Sequence, residues 1–225
     1  RSFPFFVLDV RTQRFKDDLP GLADNHLLGR PSFDPKNEPA QIDHLLEWLT
    51  RQHQKDPQRP KFIVSPGVFV PNPVLTTKSD AHKDQSDSWP AFPATRKRPL
   101  SHIVHNGIQN VVFLSGDIHC SNVAKITFSG SPEAEKIKAF SITSSAFYWP
   151  FWFADGEPSN YVHDSRKQND TFDIDGKIKM DYEAYNFTQK DNFCQVDVND
   201  SSKRIEVRTI DREGKQIVKS ILKLA

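Results

Sequence analysis

The sequence predicts an α/β layered domain over residues 1–145 that continues into a β-rich part over residues 146–225. Three observations carry this prediction. Up to Leu114, short apolar runs alternate with amphipathic stretches in the order strand, helix, strand, helix, strand. After residue 121 the helical spacing disappears, and short strand-like runs follow one another between turn residues. Between the two regimes, the run Val111 to Leu114 ends in Ser-Gly-Asp-Ile-His, so a buried strand opens into a loop with a carboxylate and an imidazole.

Phe5 to Val10 is the first apolar run, interrupted by Asp9 and followed by Arg11. Lys16 to Pro39 is rich in Pro, Gly, Asp and Asn and reads as loop. A helix follows, with Pro39 suited to its first turn and Ile42, Leu45, Leu46 and Leu49 at helical spacing; the polar segment ending at Pro57 stops it. Lys61 to Ser65 is a second short strand, and the Pro-punctuated segment 66–73 follows it. Thr76 to Ser88 is polar and charged, as expected of a surface loop. A second helix is expected near residues 94–105, with Leu100, Ile103 and Val104 on one face and Gly107 just beyond its end. Pro99 would mark where its regular part begins.

In the second half, strands are expected at Val123 to Phe128, Ile137 to Thr143, Phe193 to Val198, Arg204 to Thr209 and Gln216 to Leu222. Asp211-Arg-Glu-Gly supplies the turn before the last.

Bulk composition excludes some functions. The chain carries 30 basic and 29 acidic residues, so no whole-chain field attracts nucleic acid, and no nucleic-acid partner is expected. No apolar run approaches the roughly 20 residues of a membrane-spanning helix. Cys120 and Cys194 lie far apart without a Cys-x-x-Cys pair, against a disulfide framework or a structural zinc site. The chain opens on Arg1 without a methionine and runs at once into a strand, so a removed upstream segment is expected and export stays open.

The chemistry sits after the third strand. In open α/β sheets, ligands bind beyond the carboxyl ends of the strands. If residues 117–119 are extended, Asp117 and His119 point the same way, and the two could share one metal ion such as zinc, manganese or iron. A structural alternative stands beside this, in which the pair only caps the loop with hydrogen bonds.

Four stretches then resemble one family, in its order. Phe6-Val-Leu-Asp-Val-Arg-Thr-Gln-Arg14 is similar to a strand ending in Leu-Asp-x-Arg-x-x-Arg. Leu28-Gly29, then Gln41 and Trp48-Leu49, resembles a Leu-Gly, Gln, Trp-Leu helix start. Asp87-Ser-Trp-Pro-Ala-Phe-Pro-Ala-Thr-Arg96 resembles Asp-x-Trp-x-x-Tyr-Pro-x-x-Arg, and Asn110 to Ser121 resembles a last metal motif. Together, over residues 1–145, they resemble the C-terminal portion of the PhoD-like metallophosphatases, within the calcineurin-like metallophosphoesterase superfamily.

The resemblance implies the second half of a layered sandwich of mixed sheets flanked by helices. It also implies hydrolysis of phosphate esters, mono- or diesters, by a metal-activated water with no protein nucleophile. Iron with calcium is the metal pair it implies, with manganese or zinc as alternatives. Asp117 and His119 would be metal ligands. The superfamily's earlier motifs, Asp-x-His, Gly-Asp-x-x-Asp and Gly-Asn-His, are not found; Asp24-Asn25-His26 stands in the wrong place to be the last of them. The expectation is a site completed by an N-terminal half or by a second chain.

Other residues carry weaker assignments. Arg11 could contact a substrate phosphate, or pair with Asp9. Arg96 is expected to start a helix or form an ion pair, and Cys120 to be a small buried side chain. Ser144 and Ser145 lack the Gly-x-Ser-x-Gly surroundings of a nucleophile. Ala146-Phe-Tyr-Trp-Pro-Phe-Trp-Phe153 has neither helical nor strand period; it is expected to pack beneath the β-rich part, with Tyr148 and Trp149 as a possible pocket wall. A reading of a different class is a non-catalytic binding or interaction domain on a degenerate phosphatase fold.

Overall fold

Alternate residues of the central strands face two different cores, and this orders the molecule into layers. The computed structural model describes residues 2–15, 25–74, 88–147 and 157–225. Within them the strands are β1 (Phe5–Val7), β2 (Lys61–Ser65), β3 (Val111–Ser115), β4 (Ser121–Ser129), β5 (Ala139–Thr143), β6 (Phe172–Asp173), β7 (Lys179–Thr188), β8 (Asn192–Asn199), β9 (Arg204–Asp211) and β10 (Gln216–Lys223). The helices are α1 (Gln41–Lys55), α2 (Pro93–His105) and the single turn α3 (Pro132–Glu135).

Seven strands form one mixed sheet in the order β1-β2-β3-β5-β4-β7-β6, and β10-β9-β8 form a second, antiparallel sheet. Strands β1, β2, β3 and β5 run parallel; β4, β7 and β6 complete the sheet antiparallel. Ile63, Val111, Phe113 and Ala139 join Leu45, Leu49, Leu100 and Ile103 of α1 and α2 in one core. Their neighbours Phe62, Val112, Phe140 and Ile142 join Ile205, Val207 and Leu222 of the second sheet in another. Strands buried on both faces read as continuous apolar runs, which is why β2 and β3 stand out in the sequence.

Helix α1 buries Ile42, Leu45, Trp48 and Leu49, while Leu46 is only half-buried. Its N-cap is Ala40, so Pro39 precedes the helix rather than occupying its first turn; the Asp43 carboxylate accepts from the Ala40 N–H at 3.0 Å instead. Helix α2 starts at Pro93 and runs through Pro99. Pro93 already holds the first helical position, and the Arg96 N–H reaches Phe92 O at 2.9 Å, so Pro99 removes one interior hydrogen bond without setting the helix start. Gly107, at φ +61, takes the left-handed position just past the C-cap.

Strand β7 has no counterpart among the expected strands. Met180, Tyr182 and Ala184 are buried at alternate positions, but buried Asp181 interrupts the pattern. Its carboxylate is satisfied by Ser165, Thr171 and Arg166, partners that only the fold supplies.

Lys61 begins β2 fully buried, and its ammonium donates to the carbonyls of Pro57, Arg59 and Gln109 at 3.0, 2.9 and 3.0 Å. Burial pulls its pKa down to about 8, against a smaller opposing pull from Asp56. Between pH about 8 and 10.5 the unfolded chain keeps this proton while the folded chain has released it, so this group makes stability rise across that window. Thermal unfolding of wild type and Lys61→Met between pH 7.5 and 10.5 checks this. The wild-type curve should gain relative to the variant as pH rises, and parallel curves would refute the assignment.

Among the described residues, strand β1 is paired by β2 alone, and Phe5 and Val7 are 55% and 69% exposed. No helix among the described residues is long and apolar enough to cross a membrane.

Candidate functional site

Because β1, β2, β3 and β5 are parallel, their carboxyl ends lie along one margin of the sheet. Ser65, Ser115 and Thr143 stand side by side in register at that margin. The loops beyond it are 8–13, 66–74, 116–120 and 144–147, and the Gly-Asp-x-His residues occupy the third of them.

Asp117 and His119 reach this margin by a route the sequence reading did not foresee. Both have positive φ, +78 and +51, so residues 117–119 are not extended and strict alternation does not aim the two side chains. Asp117 is exposed and His119 half-buried. The His119 N–H donates to Ser145 Oγ at 3.0 Å, and the Ser144 N–H to Ser115 O at 2.8 Å, which ties loop 116–120 to loop 144–147. Left-handed non-glycine residues cost on the order of 1 kcal/mol or more each, and they persist where surrounding contacts enforce them.

Cys120, next to His119, is buried and bonded to no other cysteine. Burial pushes its thiol up to about 12, so a thiolate ligand is disfavoured. Cys194 is likewise raised by burial.

Arg11 lies at the same margin, after β1, with β2 between it and β3. Its side chain is exposed, and its N–H donates to Asp9 Oδ1 at 3.0 Å. The Asp9 carboxyl is held below its ordinary range first by the Thr12 hydroxyl, then by the Thr12 and Arg11 N–H groups. Gln41 clamps the main chain of Asp9 from α1, accepting from its N–H at 2.7 Å and donating to its carbonyl at 2.8 Å. Arg11 is therefore carried on a braced turn.

A cavity of about 530 Å³ lies between β1 and α1, lined by Phe6, Asp9, Gln13, His44, Trp48 and Arg51 among others. None of its residues comes from loops 116–120 or 144–147, so it is separate from the Asp117–His119 loop. Tyr148 and Trp149 fall outside the described residues; of the aromatic segment, Phe147 is 72% exposed and lies 6.3 Å from the Phe193 ring.

A carboxylate and an imidazole are suitable oxygen and nitrogen donors for a divalent or trivalent metal, and as donors the pair fits part of a ligand set. Among the described residues, no group of three or more His, Cys, Asp or Glu could hold an ion.

A family model described as PhoD-like phosphatase matches residues 1–208. The chain belongs to the PhoD-like phosphatase family. The match extends well beyond the four stretches that suggested it. A solved structure of PhoD superposes with a TM-score of 0.50 at 18% identity, covering 97% of this chain and 38% of its own. At that identity the likeness shows a shared fold, and the present chain spans well under half of that relative. No curated protein matches the chain.

Several motif residues of this PhoD-like chain serve the fold. Leu27 and Leu28 are buried, with the Leu27 N–H on Thr95 Oγ1 at 3.2 Å. Trp89 and Arg96 converge on Phe69: the indole ring meets it edge-on at 5.0 Å, and the guanidinium lies over it at 5.1 Å while donating to Phe69 O at 2.8 Å. Arg96 lies in the first turn of α2, as expected of a helix-start residue, but among the described residues it forms no ion pair; it is buried, and burial lowers its pKa to about 10. His26 joins a short bridge with Phe15, in keeping with a loop role. His102 accepts or donates at Thr50, and His105 pairs with Asp175 at 3.2 Å, acidic company that the sequence did not reveal.

Proposed function

We propose that this chain is part of a metal-dependent phosphate-ester hydrolase in which Asp117 and His119 hold metal. The observation that supports it most is the placement of Gly-Asp-x-His at the open carboxyl margin of the parallel strands, in a member of a phosphatase family. A metal ion bound there supplies Lewis acidity to a phosphoryl oxygen and lowers the pKa of water. Iron with calcium is the proposed pair, with manganese or zinc as alternatives.

The chain's own contribution is to present the two donors on a loop braced by Ser145 and to offer the Arg11 guanidinium, on its Gln41-braced turn, to a substrate phosphate. Tyr148 and Trp149 are proposed as a pocket wall. Residues 1–145 are proposed as the C-terminal portion of the phosphoesterase core, with residues 146–225 packed on the same domain. The ligand set is proposed to be completed by an N-terminal half or a second chain. The one-sided β1, with Phe5 and Val7 exposed, supports such a neighbour.

One alternative is a binding or interaction domain that keeps the family's core without its chemistry, favoured for the isolated chain by the missing Asp-x-His, Gly-Asp-x-x-Asp and Gly-Asn-His motifs. Metal stoichiometry separates the two. Elemental mass spectrometry of the 225-residue chain and of His119→Ala, after loading with iron, calcium, manganese or zinc, should find binding that the variant reduces. Equal retention by both proteins would favour the non-catalytic reading for this chain, and retention by neither would mean that it carries only part of the ligand set.

A further inference from the structure

We propose that Asn192, acting through the hydroxyls of Ser121 and Ser145, positions His119, so that the second sheet sets the geometry of the candidate metal loop. This rests on the reading of His119 as a metal ligand. The contacts form one directional chain. The His119 N–H donates to Ser145 Oγ at 3.0 Å, and the Ser145 N–H donates to Ser121 Oγ at 3.2 Å. The Ser121 hydroxyl then donates to Asn192 Oδ1 at 2.5 Å. Each residue donates to the next; at Ser145 the hydroxyl accepts while the main-chain N–H donates, so the tie passes through that residue's backbone.

Asn192 is suited to end that chain. It is 2% exposed at the first position of β8, and every polar group of its side chain is used. Its Nδ2 donates to Thr188 O and Lys190 O at 3.3 and 2.5 Å, which fixes the orientation of the amide. Its own N–H donates to the carbonyl of Ala146 at 2.9 Å, and Ala146 is itself held at φ +100. One residue of the second sheet therefore holds the loop after β5 at Ala146 and the start of β4 at Ser121, where the loop after β3 ends. Cys194, two residues on, adds a parallel tie from its N–H to Ser144 Oγ at 2.9 Å.

The geometry explains how His119 is kept in the left-handed region. Its amide is anchored on half-buried Ser145, which is tied in turn to fully buried Ser121 and so does not rest on the loop alone. Loss of the anchor removes a main-chain restraint behind the imidazole, and ligand-orienting contacts of this kind typically change metal affinity about 10- to 100-fold.

The test uses the 225-residue chain, read by residue-resolved amide hydrogen exchange and by Mn²⁺ titration. Ser145→Ala and Asn192→Ala should speed exchange at His119 at least tenfold while Ile205 and Val207 in β9 keep their protection. Ser145→Thr, which retains the acceptor, should keep His119 protected. Mn²⁺ affinity should fall about tenfold or more in the two alanine variants and stay near wild type in Ser145→Thr. Unchanged exchange at His119, or equal loss of protection across β9, overturns the positioning role. So does raised exchange with undiminished Mn²⁺ affinity. A His119→Ala chain that binds Mn²⁺ as wild type does refutes the ligand reading itself, and leaves the exchange data to judge the hydrogen-bond chain.

Discussion

Replacing His119 by alanine should lower phosphate-ester hydrolysis by the catalytically complete protein at least about 100-fold, more than the loss of a residue that merely orients a ligand. Asp117→Asn should do the same, because a neutral amide keeps the shape of the side chain but not the charge that binds a cation. Asp117 is exposed and His119 only half-buried, so neither change opens a cavity in a core. The fold should therefore survive, and the unfolding temperature should move by no more than a few degrees. Rates with nitrophenyl mono- and diesters, measured beside thermal unfolding, check both parts. Retained activity in either variant would remove that residue from the ligand set. A collapse in stability matching the loss of activity would assign the pair to the structural cap instead.

The second large effect falls on stability. Trp89→Ala should destabilise the chain by about 3–5 kcal/mol, the usual cost of truncating a buried aromatic. For a chain of this size that corresponds to a fall of roughly 10 °C in Tm. Trp89 is fully buried, meets Phe69 edge-on, and donates its indole N–H to Ser65 Oγ at 2.9 Å. Phe69 in turn stacks on Phe113 of β3, with ring centroids 3.7 Å apart. Removing the indole therefore loosens the segment after β2 and the strand that leads to the Gly-Asp-x-His loop. Trp89→Phe should cost far less, about 1 kcal/mol for the hydrogen bond plus a small packing loss. Calorimetry or chemical denaturation of the two variants decides the matter. An alanine variant within about 1 kcal/mol of wild type would show that the site collapses around the loss.

The different fates of these residues show why motif content and function have to be read separately. Trp89, Arg96, Gln41 and His119 all belong to stretches that resemble the family. The first two are interior, the third braces a turn, and only the last stands at the open margin of the sheet. Arg96 is a helix-start residue, as the sequence suggests, but its guanidinium also lies over the Phe69 and Phe172 rings. The neighbours that make it structural lie 27 and 76 residues away, 96 − 69 and 172 − 96, beyond the reach of any local pattern.

Local chemistry specified much of the molecule. Strands β2 and β3 are continuous apolar runs because both of their faces are buried, and α1 shows its apolar stripe at helical spacing because only one face is. The turn at Asp211 is legible because the Asp carboxylate accepts from the Glu213 and Lys215 N–H groups and Gly214 supplies φ +80. Gly-Asp-x-His is legible because its residue types are unusual just after a buried strand.

Tertiary structure alone supplied the rest. It turned residues 117–119 into a left-handed loop where alternation suggested an extended one, and it recruited β7 into the main sheet around a buried carboxylate. It also joined Ser121 to Asn192 across 71 residues. Hydrophobic period and turn chemistry act over a few neighbouring positions, so they write themselves into the sequence. Hydrogen bonds between distant loops depend on how whole sheets stack, and no short stretch of chain carries that information.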